Sequence, residues 1–263
     1  MLGRLAGLAH KGRLLAPFVF LGMALLASSV QAACRPSGPL EQATVAWHYD
    51  GDTLRLTDDR RLRLLGIDTP EMNHRNGRPQ PLAERAWRRT QTLLPRGGPV
   101  RLAQDRQARD RYGRLLAHAY RPDGVSVQET LLQEGLAVVF ILPPNVAQAD
   151  CLQAAERQAR LARRGVWGLP AYAPQAASRV VADGSYRQVR GRVTSAMRRG
   201  DWVLLKLDRR VQVRIAGSHW KRFVPADHLA WRGQTVIARG KMQSRSGVPQ
   251  LRLWHPAQIE LSK

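Results

Sequence analysis

Short runs of alternating apolar and polar residues dominate this chain, and helical spacings interrupt them in three places. ATVAWH (43–48), DTLRLT (52–57) and RLRLLGI (61–67) each read as a short strand, with Asp58-Asp59-Arg60 as a turn. In PLAERAWRRTQTLL (81–94) the period changes. Leu82, Ala86, Leu93 and Leu94 recur at helical intervals, Pro81 suits a first turn, and Pro95 with Gly97-Gly98 stops the run. VRLAQ and RLLAHAY return to strand character around a turn that carries DRYG. SVQETLLQEGL (126–136) predicts a short helix, with Ser126 and Glu129 at capping-box spacing and Gly135 at its end. ADCLQAAERQARLARRG (149–165) predicts an amphipathic helix, with Asp150 near its start and a basic end that suits the helix dipole.

A proline- and alanine-rich stretch, GLPAYAPQAAS (168–178), then reads as a linker. Beyond it YRQVRGRVTSA, DWVLLKL, VQVRIA, TVIARGKMQ and QLRLW are strand-like, with HWKRFVPADHLAW between the third and fourth. Five strands with an insert after the third is the order of an OB-type barrel, and a β-sandwich fragment would give a similar pattern. The expected class is mainly β with α. The expected organisation is a leader at 1–32, a mixed α and β domain at 33–169, a linker at 170–178 and a strand-rich domain at 179–263. The length of 263 residues and 44% hydrophobic content suit two modest packed domains rather than a disordered chain.

The leader has the pattern of an export signal. Arg4, Lys11 and Arg13 precede the apolar run LLAPFVFLGMALLA, and Val30-Gln31-Ala32 places small or apolar residues at a cleavage position after Ala32. The run is short for a spanning helix and Pro17 interrupts it, so no stable membrane span is expected in the mature protein. An uncleaved anchor and lipidation of Cys34 are the alternatives. Export to the periplasm or the medium changes the reading of the two cysteines. In an oxidising compartment Cys34 and Cys151 more often pair than stay free.

The formal net charge is +22, and arginine supplies nearly all of it, since only five of the 42 basic residues are lysines. Residues 179–263 hold 18 basic and 5 acidic residues, so the terminal zone carries most of the positive charge. Charge of this sign draws phosphate backbones or anionic surfaces. The terminal zone is either a solvated basic surface or a nucleic-acid grip, with Trp202, Trp220, Trp231 and Trp254 as stacking candidates, although tryptophans in a small barrel are more often partly core.

Residues 50–71, DGDTLRLTDDRRLRLLGIDTPE, concentrate the chemistry. Asp52 and Asp68 at strand ends, with the Thr69 carbonyl and waters, form an oxygen set that suits a hard cation such as Ca²⁺, and Asp50 can support it from behind. DGDT alone reads better as a polar turn, since Asp-Gly turns are common. Glu71 could take a proton from an attacking water, while Arg63 and Arg114 could neutralise charge building up at phosphorus. The loop MNHRNGRPQ (72–80) either lies along a nucleic-acid backbone or is an ordinary loop.

DGDT, RLLGIDTPE and DRYGR, in this order, closely resemble the staphylococcal nuclease (thermonuclease) family over about residues 43–169. The resemblance implies an OB-type five-stranded barrel with three helices, and Ca²⁺-dependent cleavage of DNA and RNA that leaves 3′-phosphate ends. It implies Asp52, Asp68 and Thr69 as metal ligands, Arg63 and Arg114 as the catalytic arginines, and Glu71 as the carboxylate that activates water. It places Tyr112 beside the nucleotide phosphate; Arg111 and Phe140 are further substrate-contact candidates, Phe140 either stacking on a base or packing. One departure is the segment VVFILPPN, where Phe140 and Leu142 stand in place of the family's two pocket tyrosines. The competing reading is a non-catalytic protein that binds nucleic acid or envelope polyanions. The complete set Asp52, Arg63, Asp68, Glu71 and Arg114 argues against a degenerate site.

Overall fold

The computed structural model describes Gly3 and residues 33–36, 38–73 and 77–262. The export-signal reading of 1–32 lies outside these residues, Gly3 aside, as do 74–76 of the basic loop. From Ala33 onward the described residues pack as one unit. No helix among them is long and apolar enough to cross a membrane.

The first half of this unit is a barrel. Its strands are β1 (Glu41–His48), β2 (Thr53–Leu56) and β3 (Arg61–Leu64), followed by the two-residue β4 (Ile67–Asp68). Helix α1 (Ala83–Leu93), β5 (Pro99–Ala103), β6 (Leu115–Tyr120), α2 (Val127–Gln133), β7 (Val138–Val139) and α3 (Ala149–Leu161) complete it. The sheet closes in the order β1-β2-β3-β6-β5, with β3 parallel to β6, and β4 pairs separately with β7. Alternation sets the inner face: Leu54, Leu56, Leu62, Leu64, Val100 and Leu102 are all buried. Two helix boundaries differ from expectation. Leu82 adopts a left-handed conformation (φ 68°), so α1 starts at Ala83 and Pro81 lies outside it. Ser126 caps α2 by accepting the Glu129 N–H, but the Glu129 carboxylate accepts the Cys34 N–H (3.0 Å) and contacts Gln133 instead of closing the box.

The second half repeats that strand order. It contains β8 (Pro174–Ala176), β9 (Tyr186–Arg199), β10 (Trp202–Leu207), β11 (Val211–Ala216) and the one-turn helix α4 (Gly217–Trp220). Strands β12 (Thr235–Lys241), β13 (Gln243–Arg245), β14 (Val248–Leu253) and β15 (Ile259–Leu261) follow. The path β14-β11-β10-β9-β12 matches β6-β3-β2-β1-β5, including one parallel pair, β11 with β14. The difference lies at closure: β12 takes β15 on its other edge and β14 takes β13. The insert at 217–231 packs into the core. Trp220 and Trp231 are only 8% and 4% exposed, with their indole N–H groups on the Ala226 and Pro225 carbonyls. These two tryptophans are therefore core residues and not stacking surfaces, the more common of the two fates expected for them. A correction concerns residues 170–178. They are built into the structure: a 3₁₀ turn at Pro170–Tyr172 leads into β8, which pairs in parallel with β9.

Among the described residues, three side-chain ties hold the halves against each other. The Arg239 guanidinium on β12 lies 2.9 Å from the Glu156 carboxylate on α3, and both are almost fully buried. Arg160 grips Glu260 through two nitrogens, at 2.6 and 3.1 Å. The third tie is Lys241, inside the site described next. Cys34 and Cys151 form a disulfide with Cα atoms 5.4 Å apart, which fastens the N-terminal segment to α3.

Candidate active site

The site is built on the turn between β1 and β2. Asp50 accepts the backbone N–H groups of Asp52 (2.9 Å) and Thr53 (2.7 Å), which fixes the turn. The turn lies close against its neighbours: a Cβ on Gly51 would fall 2.9 Å from the Thr69 side chain and 3.0 Å from Ala86. Thr90 of α1 donates to the Gly51 carbonyl (2.8 Å), so the helix anchors the turn. Asp52 is buried. Its Oδ2 accepts the Thr69 N–H (2.8 Å) and hydroxyl (3.1 Å), and Oδ1 accepts the Thr53 hydroxyl (3.1 Å). Asp50 thus acts on the backbone of the turn that carries Asp52. Burial, with Asp52 nearby, pushes the Asp50 carboxyl up to about 7.

Arg63 joins the two aspartates. One terminal nitrogen lies 2.8 Å from Asp52 Oδ1 and the other 3.1 Å from Asp68 Oδ1. Carboxylates sixteen residues apart in sequence therefore converge on one positive charge. Burial works against the Arg63 cation, yet the surrounding carboxylates raise its pKa above the ordinary value. Burial pushes Asp68 up, and it outweighs the nearby Lys241 and Arg63.

Glu71 sits at the mouth of the site. Gln80 holds its backbone from both sides, accepting the Glu71 N–H (3.0 Å) and donating to its carbonyl (2.9 Å). Arg114 leaves the tight turn at Gly113 (φ 77°) as β6 begins, and gives its Nε–H to Asp110 (2.7 Å). Burial raises the Asp110 carboxyl, but hydrogen bonds from Arg114 and from the backbone of Arg114 and Tyr112 bring it below its usual value. Tyr112 is 66% exposed, with the guanidinium carbon of Arg111 4.7 Å from its ring centre and that of Arg114 5.7 Å away.

A cavity of about 520 Å³ brings these groups together: Arg63, Asp68, Glu71, Arg111, Tyr112, Arg114 and Phe140 all line it. Asp52 meets the lining residue Arg63, and Thr69 hydrogen-bonds Asp52 in turn. Leu142 also lines it, so the segment VVFILPPN does face the site.

Lys241, which sequence reasoning missed, and Trp254, one of the stacking candidates, line the same cavity from the second half of the unit. The Lys241 ammonium lies 3.1 Å from Asp68 and 3.2 Å from Glu71. Burial alone would lower its pKa, and the two carboxylates raise it overall. The only sequence signal was that Lys241 is one of five lysines in an arginine-rich chain.

No group of three or more His, Cys, Asp or Glu among the described residues forms a ready metal cage. The donors that do converge are Asp52 and Asp68, both hard oxygen ligands, gathered where Arg63 now supplies positive charge. Thr69 is bonded directly to Asp52. This set fits a hard divalent cation that keeps waters in its shell.

The family described as "Staphylococcal nuclease homologue" matches residues 61–168, which include Arg63, Asp68, Glu71 and Arg114 and stop before the second strand-rich half. The SPbeta prophage-derived endonuclease YokF of Bacillus subtilis is 41% identical over 138 residues, covering 51% of this chain and 46% of that protein. Endonuclease YncB of the same organism is 39% identical, covering 64% of its length. The chain thus spans less than two thirds of either endonuclease. The thermonuclease of Staphylococcus hyicus is 35% identical over 121 residues, covering 45% of this chain and 70% of that enzyme. The chain belongs to the staphylococcal nuclease family.

Proposed function

We propose that this protein is an exported, calcium-dependent endonuclease that hydrolyses phosphodiester bonds of DNA and RNA and leaves 3′-phosphate ends. The observation that carries the reading is the single cavity lined by Arg63, Asp68, Glu71 and Arg114, with Asp52 bound to Arg63 behind it. Asp52, Asp68 and the Thr69 carbonyl would hold the calcium. When bound, that ion polarises a phosphoryl oxygen and makes coordinated water more acidic.

The chain's own residues divide the remaining work. Glu71 takes the proton from the water whose oxygen forms the new bond to phosphorus. Arg63 and Arg114 donate hydrogen bonds to the phosphoryl oxygens as negative charge builds on them. The bond from phosphorus to the 5′-oxygen breaks, that oxygen takes up a proton, and phosphate stays on the 3′-oxygen. Tyr112, Arg111 and Phe140 hold the flanking nucleotide. The Cys34–Cys151 disulfide supports an oxidising compartment.

The test incubates purified protein with plasmid DNA and with RNA, in calcium or in EGTA, and analyses the product ends. The expected result is cutting of both polymers in calcium only, with 3′-phosphate and 5′-hydroxyl ends. Binding of both polymers without cutting in calcium would replace the reading by that of a nucleic-acid-binding protein.

A further inference from the structure

The outer face of β10, β11 and β14 carries a group of side chains that the core does not use. Inward positions Val203, Leu205, Val213, Ile215, Leu251 and Leu253 are fully buried. The alternate positions point outward, and register sets Arg214 beside Arg252 and Gln212 beside Gln250. Trp202, also outward, has the Arg214 guanidinium carbon 4.3 Å from its ring centre and that of Arg252 5.0 Å away. Arg252 in turn lies 3.7 Å from the ring centre of Trp254. The result is a ladder of alternating rings and guanidinium groups: Trp254, Arg252, Trp202, Arg214.

The ladder starts at the candidate active site. Trp254 lines that cavity together with Arg111 and Phe140. At the other end Trp202 and Arg214 line an open groove of about 480 Å³ with Arg199 and Arg245. Among the described residues no carboxylate forms an ion pair with Arg199, Arg214, Arg245 or Arg252. Partial burial, with Arg245 nearby, lowers Arg214 from its ordinary pKa, and partial burial, with Arg214 and Arg111 nearby, lowers Arg252. Like charges are held close here without a protein counter-charge, an arrangement that a chain of phosphates would relieve.

We propose that this face is a binding track for single-stranded nucleic acid that continues from the cleavage cavity along Trp254, Arg252, Trp202 and Arg214. The nuclease reading supplies the identity of the polymer. Unstacked bases lie against the indole and guanidinium planes, and phosphates meet the arginine charges. A duplex offers phosphates but keeps its base faces covered, so the stacking part of the surface selects a single strand.

The test measures binding by fluorescence anisotropy in EGTA, so that cleavage does not intrude. The full chain is titrated with a labelled oligothymidylate of about 16 nucleotides, the upper range for one OB-type fold. Trp202→Ala and Arg252→Ala are each expected to weaken binding about tenfold, the order of one lost stacked base. Trp202→Phe keeps a ring in place and is expected to stay near the intact protein. Arg179→Ala removes one charge elsewhere in the same half and is expected to matter less. Unchanged affinity in Trp202→Ala and Arg252→Ala would overturn the track. So would an equal loss in Arg179→Ala, or an equal loss toward a duplex of the same length. The nuclease reading is tested separately, by calcium-dependent cutting of plasmid DNA and RNA by the intact protein. A protein that cuts neither polymer but whose oligomer binding still falls in Trp202→Ala keeps the track and removes the nuclease reading.

Discussion

Replacing Arg114 with alanine is expected to slow cleavage roughly 10²–10³-fold, the cost of about 2.7–4 kcal/mol when one donor to a developing oxyanion is lost. The same substitution should barely touch stability. Arg114 pairs with Asp110 across a partly exposed contact (side chains 23% and 17% exposed), and such pairs contribute up to about 1 kcal/mol. Asp110 also keeps the backbone N–H groups of Tyr112 and Arg114, so the turn survives the loss of the side chain. The two magnitudes separate a catalytic role from a structural one. Arg114→Lys should recover little, because a point charge cannot reproduce a planar fork on a phosphate. Single-turnover cleavage beside urea unfolding measures both quantities. A rate loss below about threefold, or a stability loss as large as the barrier change, would place Arg114 outside the chemistry.

The largest effect on stability is expected far from the cavity, at Glu156. Its carboxylate accepts the Val139 N–H (2.7 Å) through one oxygen and meets the Arg239 guanidinium through the other. Arg239 is itself buried and also donates to the Ala257 carbonyl. Glu156→Ala leaves a buried cation without its counter-charge and a buried N–H without its acceptor. The expected cost is about 3–5 kcal/mol. Glu156→Gln should cost less, since an amide oxygen can still accept from Val139. Urea unfolding compares the two. A loss under about 1 kcal/mol in the alanine variant would contradict the account of how the halves are joined.

Part of this architecture was legible in the chain because local rules wrote it. The turn DGDT, the Ser126 cap and the Tyr-Gly turn before Arg114 use side chains that act on backbone a few residues away. Strict alternation in VQVRIA showed which positions of β11 face inward. The parts that were not legible depend on distant packing. Leu82 is left-handed because the chain must turn into α1, and no propensity signals that. Residues 170–178 have the composition of a spacer, yet β8 is held through its backbone, which leaves no trace in the side-chain pattern. Trp220 and Trp231 carried the composition of a nucleic-acid surface but meet carbonyls inside the insert. Lys241 lies 170 residues beyond Glu71, and only the docking of β12 against the barrel brings them together.

That contact reaches the chemistry itself, because Glu71, the proposed acceptor of the water proton, is held on one side by Gln80 and on the other by Lys241. Glu71→Gln preserves the size of the side chain and removes its capacity to accept a proton. The decisive measurement is single-turnover cleavage of a labelled single-stranded DNA in saturating calcium by the intact protein and by this variant. The account predicts a loss of about 10²-fold or more, with oligomer binding in EGTA retained. Cleavage by Glu71→Gln at the rate of the intact protein would contradict it.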